Sequence, residues 1–190
     1  AYDTCMSISI LPTIYAEMLT IPDPFVFKIL FQIIFALVPV LAFILFSKYF
    51  SRYVALLSVY VLIAFPTFFT DMPMLNRQEI AFLLFSVLVA VMFDKLINRQ
   101  QRIFLILIFG CGIILSHYST TYIVLLFLLT AWVGFWFLKI LFGIRSFRNL
   151  LKKTKLVRKN FVIASKPVVP LFVLLLLVGS RFVWSNTFTN

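Results

Sequence analysis

Residues 25–47 read FVFKILFQIIFALVPVLAFILFS, a run from Phe25 to Ser47 that carries one charge, Lys28. A helix needs about 20 mostly apolar residues to cross the hydrocarbon core of a bilayer, and this run supplies them. Five more apolar runs follow: Tyr53 to Thr70, Ile80 to Ile97, Ile103 to Ser116, Tyr122 to Phe142 and Pro167 to Trp184. The sequence predicts an all-α, polytopic transmembrane helical bundle of about six spans.

Composition agrees with that reading. The 190 residues are 63% hydrophobic and 12% charged, with a mean hydropathy of +1.10. A soluble globule is nearer half apolar and about a quarter charged, so soluble and disordered classes are excluded. Cys5 and Cys111 lie too far apart in sequence to propose a metal cluster or a disulfide framework. The chain starts at Ala1, has no leader pattern and stops in a polar tail, so it reads as a piece of a longer polypeptide.

Charge sorts the loops into two compartments. With six crossings, every Lys and Arg except Lys28, Arg77 and Arg181 falls on one side, which identifies that side as cytoplasmic. Of the six acidic residues only Asp94 joins them; Asp3, Glu17, Asp23, Asp71 and Glu79 face outward. The chain divides into an extracytoplasmic segment with an interfacial helix (1–24), a five-span bundle (25–142), a basic cytoplasmic loop (143–166) and a sixth span with its tail (167–190). Both ends are extracytoplasmic, and the predicted location is the plasma membrane. Ser7 to Leu19 repeats Ile8, Leu11, Ile14, Tyr15, Met18 and Leu19 at helical spacing, which fits a helix lying in the interface. Pro39 is placed to kink the first span by removing a helix hydrogen bond.

From Gly143 to Asn160, and most densely from Arg145 to Lys159, basic residues alternate with Ile144, Phe147, Leu150 and Leu151. This pattern reads either as a plain positive-inside loop or as a surface helix on anionic lipid, at about 1 kcal/mol per basic residue. No stacking platform or reader motif accompanies the charge, so a nucleic-acid partner is not predicted.

Two polar turns open outward and could carry chemistry. Thr70-Asp71-Met72-Pro73-Met74-Leu75-Asn76-Arg77-Gln78-Glu79 joins the second and third spans. Asp71, with Pro73 close behind, reads first as a helix cap. Arg77 and Glu79 are two residues apart, about 200° around a helix, so each needs its own partner. An ionisable pair this near a bilayer is a functional hypothesis by default. The second turn, Ser116-His117-Tyr118-Ser119-Thr120-Thr121-Tyr122, holds the only histidine. His117 reads as a hydrogen-bonded interface residue or as a phosphate donor, metal ligand or acid–base group. Arginine as a bidentate clamp, a carboxylate as base and hydroxyls as sugar contacts suit a phosphate-bearing, hydroxyl-bearing ligand. Walker, GxSxG, HExxH and CxxC motifs are absent from the sequence, which takes away most of the support for ATPase, hydrolase and metalloprotease readings.

The order of motifs resembles a known family. Ala1-Tyr2-Asp3-Thr4 leads to Ile10-Leu11-Pro12-Thr13, then to Pro66-Thr67-Phe68-Phe69, to Asn76-Arg77-Gln78-Glu79 and to Ser116-His117-Tyr118-Ser119-Thr120. Up to about Tyr122 this is similar to a little-characterised family of prokaryotic polytopic membrane proteins related to the GT-C superfamily, the multi-span glycosyltransferases. The resemblance implies transfer of a sugar, with inversion, from a polyprenyl-phosphate carrier on the outer face. It implies a base carboxylate in the first outer loop, here largely upstream of Ala1 with Asp3 its remnant, and further acidic residues, Asp71 and Glu79, in the second. By the same analogy Arg77 and His117 grip the carrier phosphate, with Asn76 and Tyr118 as neighbouring substrate contacts. No cofactor is called for; a divalent metal stays open, although no Asp-x-Asp pair indicates one. A transporter or flippase for a lipid-linked sugar, and a noncatalytic membrane subunit, are the alternative functions for the same residues. The remainder of the same polypeptide and the surrounding lipid are the other expected partners.

Overall fold

A computed structural model describes residues 5–143 and 167–188. The described residues are all-helical. Asp3 and the basic stretch from Arg145 to Lys159 lie outside them.

Helix α1 (Met6–Leu19) is interrupted once, at Ile10. Leu11 and Tyr15 pack toward Val26, Phe31 and Ile80, while Ile10, Ile14, Met18 and Leu19 stay exposed. It stops at Thr20, which adopts φ 52°, and the amides of Thr20 and Ile21 both return to the Ala16 carbonyl. Pro22-Asp23-Pro24 then opens α2 (Asp23–Ser47), a 25-residue path of about 37 Å. A π-turn occupies Val26–Leu30, and an irregular residue, Ala36, precedes Leu37. Pro39 lacks the amide that would bond to the Phe35 carbonyl, and that break in the ladder adjoins Ala36.

The second apolar run is two helices rather than one. Helix α3 (Arg52–Ala64) and helix α4 (Thr67–Met74) meet at 58°. The cause is local: Phe65 precedes Pro66 and takes ψ 125°, because a residue before proline is driven out of the helical region. Helices α5 (Asn76–Phe93) and α6 (Arg99–Ser116) form the most extensive antiparallel pair. Their turn is densely bonded. Asp94 accepts from the Leu96 amide at 2.8 Å and pairs with Lys48 at 2.9 Å. Arg102 donates to the carbonyls of Asp94 and Ile97, and Asn98 with Gln101 makes a reciprocal cap on α6.

Helix α7 (Tyr118–Gly143) follows α6 after one residue, and α8 (Leu171–Phe188) packs against both. Leu88, Ile106, Ile113, Leu128, Val173 and Leu177 form the main core between these four helices. Among the described residues four helices, α2, α5, α6 and α7, are long and apolar enough to cross a membrane, and the bent α3–α4 pair makes a fifth. Helix α8 is apolar but shorter. The chain thus has the character of a multi-span membrane protein.

Helix boundaries differ from the hydropathy-based spans in a consistent way. Helix α5 begins at Asn76 rather than Ile80, because Glu79 is folded into the bundle instead of standing in a loop. Helix α6 begins at Arg99 rather than Ile103, where the cap outweighs the polarity of the first turn. Helix α8 begins at Leu171, after Pro170, and continues past Trp184.

Candidate functional site

The end of the bundle where α5 starts, α6 stops and α7 starts holds the candidates Asn76, Arg77, Glu79, His117 and Tyr118. Helix α1 lies across it and touches both α5 and α6. Its Ser7 hydroxyl donates to the Ser116 carbonyl at 3.0 Å, a bond buried on both sides.

His117 is the single extended residue between α6 and α7 (φ −155°, ψ 121°) and is buried. Its Nδ1 lies 2.8 Å from the Thr120 hydroxyl and accepts the Thr120 amide at 3.3 Å. An acceptor role at Nδ1 assigns the ring proton of the neutral imidazole to Nε2. The histidine thereby caps α7, doing with a ring nitrogen what Asn or Ser does with an oxygen. Thr121 donates to the His117 carbonyl at 2.8 Å, and Thr120 and Thr121 are both buried. Burial, and then the positive charge of Arg77, hold the His117 imidazole below its ordinary value of 6.5. Arg77 and His117 come from two different polar turns, and the charge of one acts on the other. The Tyr118 ring is half-exposed with its centroid 5.3 Å from the imidazole.

Glu79 points elsewhere, as its spacing from Arg77 requires. Its side chain is 0% exposed, and neither carboxylate oxygen has a hydrogen-bond partner. Gln32 of α2 is the side chain beside it, although the Gln32 amide donates to the Pro73 carbonyl at 3.1 Å. Asn76 is similarly engaged, donating to the Phe27 carbonyl at 3.3 Å. That carbonyl belongs to the π-turn of α2, where the wider i→i+5 ladder changes which oxygens are free. The first turn of α5 is therefore tied to α2.

Asp71 is exposed and accepts from the Thr70 hydroxyl at 3.3 Å. It makes no capping bond. The reason is its backbone: φ −83°, ψ −42° continues the preceding turn, whereas a cap needs an extended residue that swings its side chain over the free amides. A cavity of about 710 Å³ lies between α2, α3, α4 and α5, lined by Phe46, Leu57, Val61, Phe68, Met72 and Phe82 among others. Its lining reaches Met72, the residue next to Pro73, so it rises toward the Gln32–Glu79 side of the polar end. Among the described residues no group of three His, Cys, Asp or Glu side chains is placed to hold a metal ion.

Two contributors were not singled out from sequence, Gln32 and Arg181. Gln32 was hidden as a lone amide in an apolar run. Arg181, 8% exposed on α8, donates to the Tyr122 hydroxyl at 3.3 Å. The available signal was a single charge inside the last apolar run, since a charge at such a position asks for a partner. Comparison with known proteins finds no match: no family model, curated protein or solved structure corresponds to this chain.

Proposed function

We propose that this chain is the membrane-embedded part of a GT-C-like glycosyltransferase, which transfers a sugar from a polyprenyl-phosphate carrier to an acceptor hydroxyl at the His117 end of the bundle. In this reading the chain crosses the plasma membrane six times, the Asp94 end is cytoplasmic and both chain ends are outside. The stretch from Arg145 to Lys159 meets anionic lipid on the cytoplasmic face.

One observation supports this more than any other. A fully buried carboxylate, Glu79, with only the Gln32 side chain named beside it, sits in the same turn of α5 as Arg77, whose charge acts on His117. The apolar cavity rising to the same end suits the carrier's hydrocarbon tail. Glu79 takes the proton of the acceptor hydroxyl, and that oxygen bonds to the anomeric carbon. The carbon–oxygen bond to the carrier breaks, and the phosphate leaves with the electron pair. Arg77 and the Nε2–H of His117 meet the negative charge. Asp3 and Asp71 are the other carboxylates within the scheme, and Asn76 and Tyr118 are its flanking polar contacts.

The test is transfer from a polyprenyl-phosphate sugar by the full-length protein. Glu79→Gln is expected to abolish product while donor binding is kept, and Arg77→Gln to weaken donor binding. Full transfer by Glu79→Gln would remove this carboxylate from the mechanism. Translocation of the donor in vesicles without any product would identify a carrier instead of an enzyme.

A further inference from the structure

Arg181 lies outside the proposed transfer chemistry and is, after Glu79, a second buried charge among the described residues. It is 8% exposed, yet its Nε is buried with no acceptor. One guanidinium nitrogen donates to the Tyr122 hydroxyl at 3.3 Å, and the guanidinium carbon lies 5.2 Å from the centre of the Tyr122 ring. A phenol is a neutral partner; it orients the cation without neutralising it. Helices α6, α7 and α8, which surround the group, contain no Asp or Glu at all.

Position limits what anion can complete the site. Tyr122 is four residues into α7, about 6 Å along its axis from the polar end. Arg181 is correspondingly short of the end of α8. One turn nearer the middle, Leu126 on α7 and Val178 on α8 are exposed, and Ile123 and Phe182 flank the pair with exposed apolar surface. A small water-borne anion would find a greasy approach here. An anion carried on hydrocarbon would find both a cation and a surface for its chains.

We propose that Arg181 and Tyr122 form a binding site for the phosphodiester headgroup of a bilayer lipid, whose chains lie along the exposed faces of α7 and α8. The planar guanidinium presents paired N–H donors that match two phosphate oxygens, and the Tyr122 hydroxyl sets its plane. The site is independent of the transfer proposal, because it uses none of the groups on α5 or at His117.

The experiment is retention of lipid by the full chain in mild detergent, read by native mass spectrometry. Phosphatidylglycerol and diacylglycerol with the same acyl chains are the two probes, since they differ in the phosphate. Wild type is expected to keep phosphatidylglycerol and to lose diacylglycerol. Arg181→Gln should lower phosphatidylglycerol retention about tenfold, the loss expected for one charge-assisted contact. Tyr122→Phe should lower it less, and Lys28→Gln, at an exposed lysine on α2, should leave it unchanged. Equal retention of the two lipids by wild type overturns the proposal whether or not Arg181→Gln folds. Undiminished retention in Arg181→Gln also overturns it, and displacement of the lipid by free inorganic phosphate overturns the assignment to a lipid.

Discussion

Gly110 of α6 and Leu177 of α8 approach so closely that a Cβ on the glycine would lie 2.7 Å from Leu177 Cδ2. Leu177 is itself 1% exposed, in the main core, so it has little room to withdraw. Gly134 on α7 has nothing within 4 Å of the same construction point. Both glycines are helical, and alanine is favoured over glycine in a helix by about 1 kcal/mol. Gly134→Ala should therefore raise the thermal unfolding midpoint in detergent. Gly110→Ala should lower it, because overpacking a core costs about 1–3 kcal/mol. Equal midpoints for the two variants would mean that α8 does not press on α6 as described.

Thr20 offers a stabilising change. A β-branched residue at φ 52° is strained, and the position ends α1 as a left-handed cap that glycine fills without cost. Thr20→Gly should stabilise the chain by about 1 kcal/mol, measured as a higher unfolding midpoint. The hydroxyl gives up only its bond to the neighbouring Leu19 carbonyl.

The single histidine makes the polar end directly observable by NMR. His117 should titrate below 6.5. Arg77→Gln should move that titration upward but not to the ordinary value, since burial is the larger cause and remains. The sign for stability follows from proton counting. Between the lowered folded value and 6.5 the unfolded chain binds more protons than the folded chain, so stability falls as pH drops through that window. His117→Gln should lose this part of the pH dependence, as measured by unfolding midpoints.

At the opposite end, Asp94 is held below its ordinary 3.8 first by the Leu96 amide and then by Lys48. Its contribution is complete above the ordinary carboxylate range and disappears as pH falls through the lowered value. Asp94→Asn should make unfolding less sensitive to acid below 3.8. Lys48→Gln should have a smaller effect, because the amide contact survives and a pair this exposed, 41% and 26%, is weakened by water and salt.

How far the sequence could be read depended on the kind of interaction. Helices and membrane character followed from apolar runs such as Phe25 to Ser47, because crossing a bilayer is a requirement on composition and length. Ends were harder. Asn76 to Glu79 reads as a polar loop until Glu79 is seen buried, and the Asn98–Gln101 cap was written in the sequence but competes with the two arginines beside it. The polar turns at Asp71 to Glu79 and Ser116 to Tyr122 were legible as candidate sites because polarity near a membrane is conspicuous. Their pairings were not. The Thr120 contact of His117 is local, whereas Gln32 meeting Pro73 and Arg181 meeting Tyr122 depend on how whole helices are arranged, and no spacing rule encodes that.

The angle between α3 and α4 has a mechanical consequence. Val61 and Leu62 before the Phe65–Pro66 corner, and Phe68 and Met72 after it, line the same cavity. Whatever hydrocarbon occupies that space touches both arms of the elbow at once. An apolar chain seated there would press on both helices and favour the 58° bend over other angles.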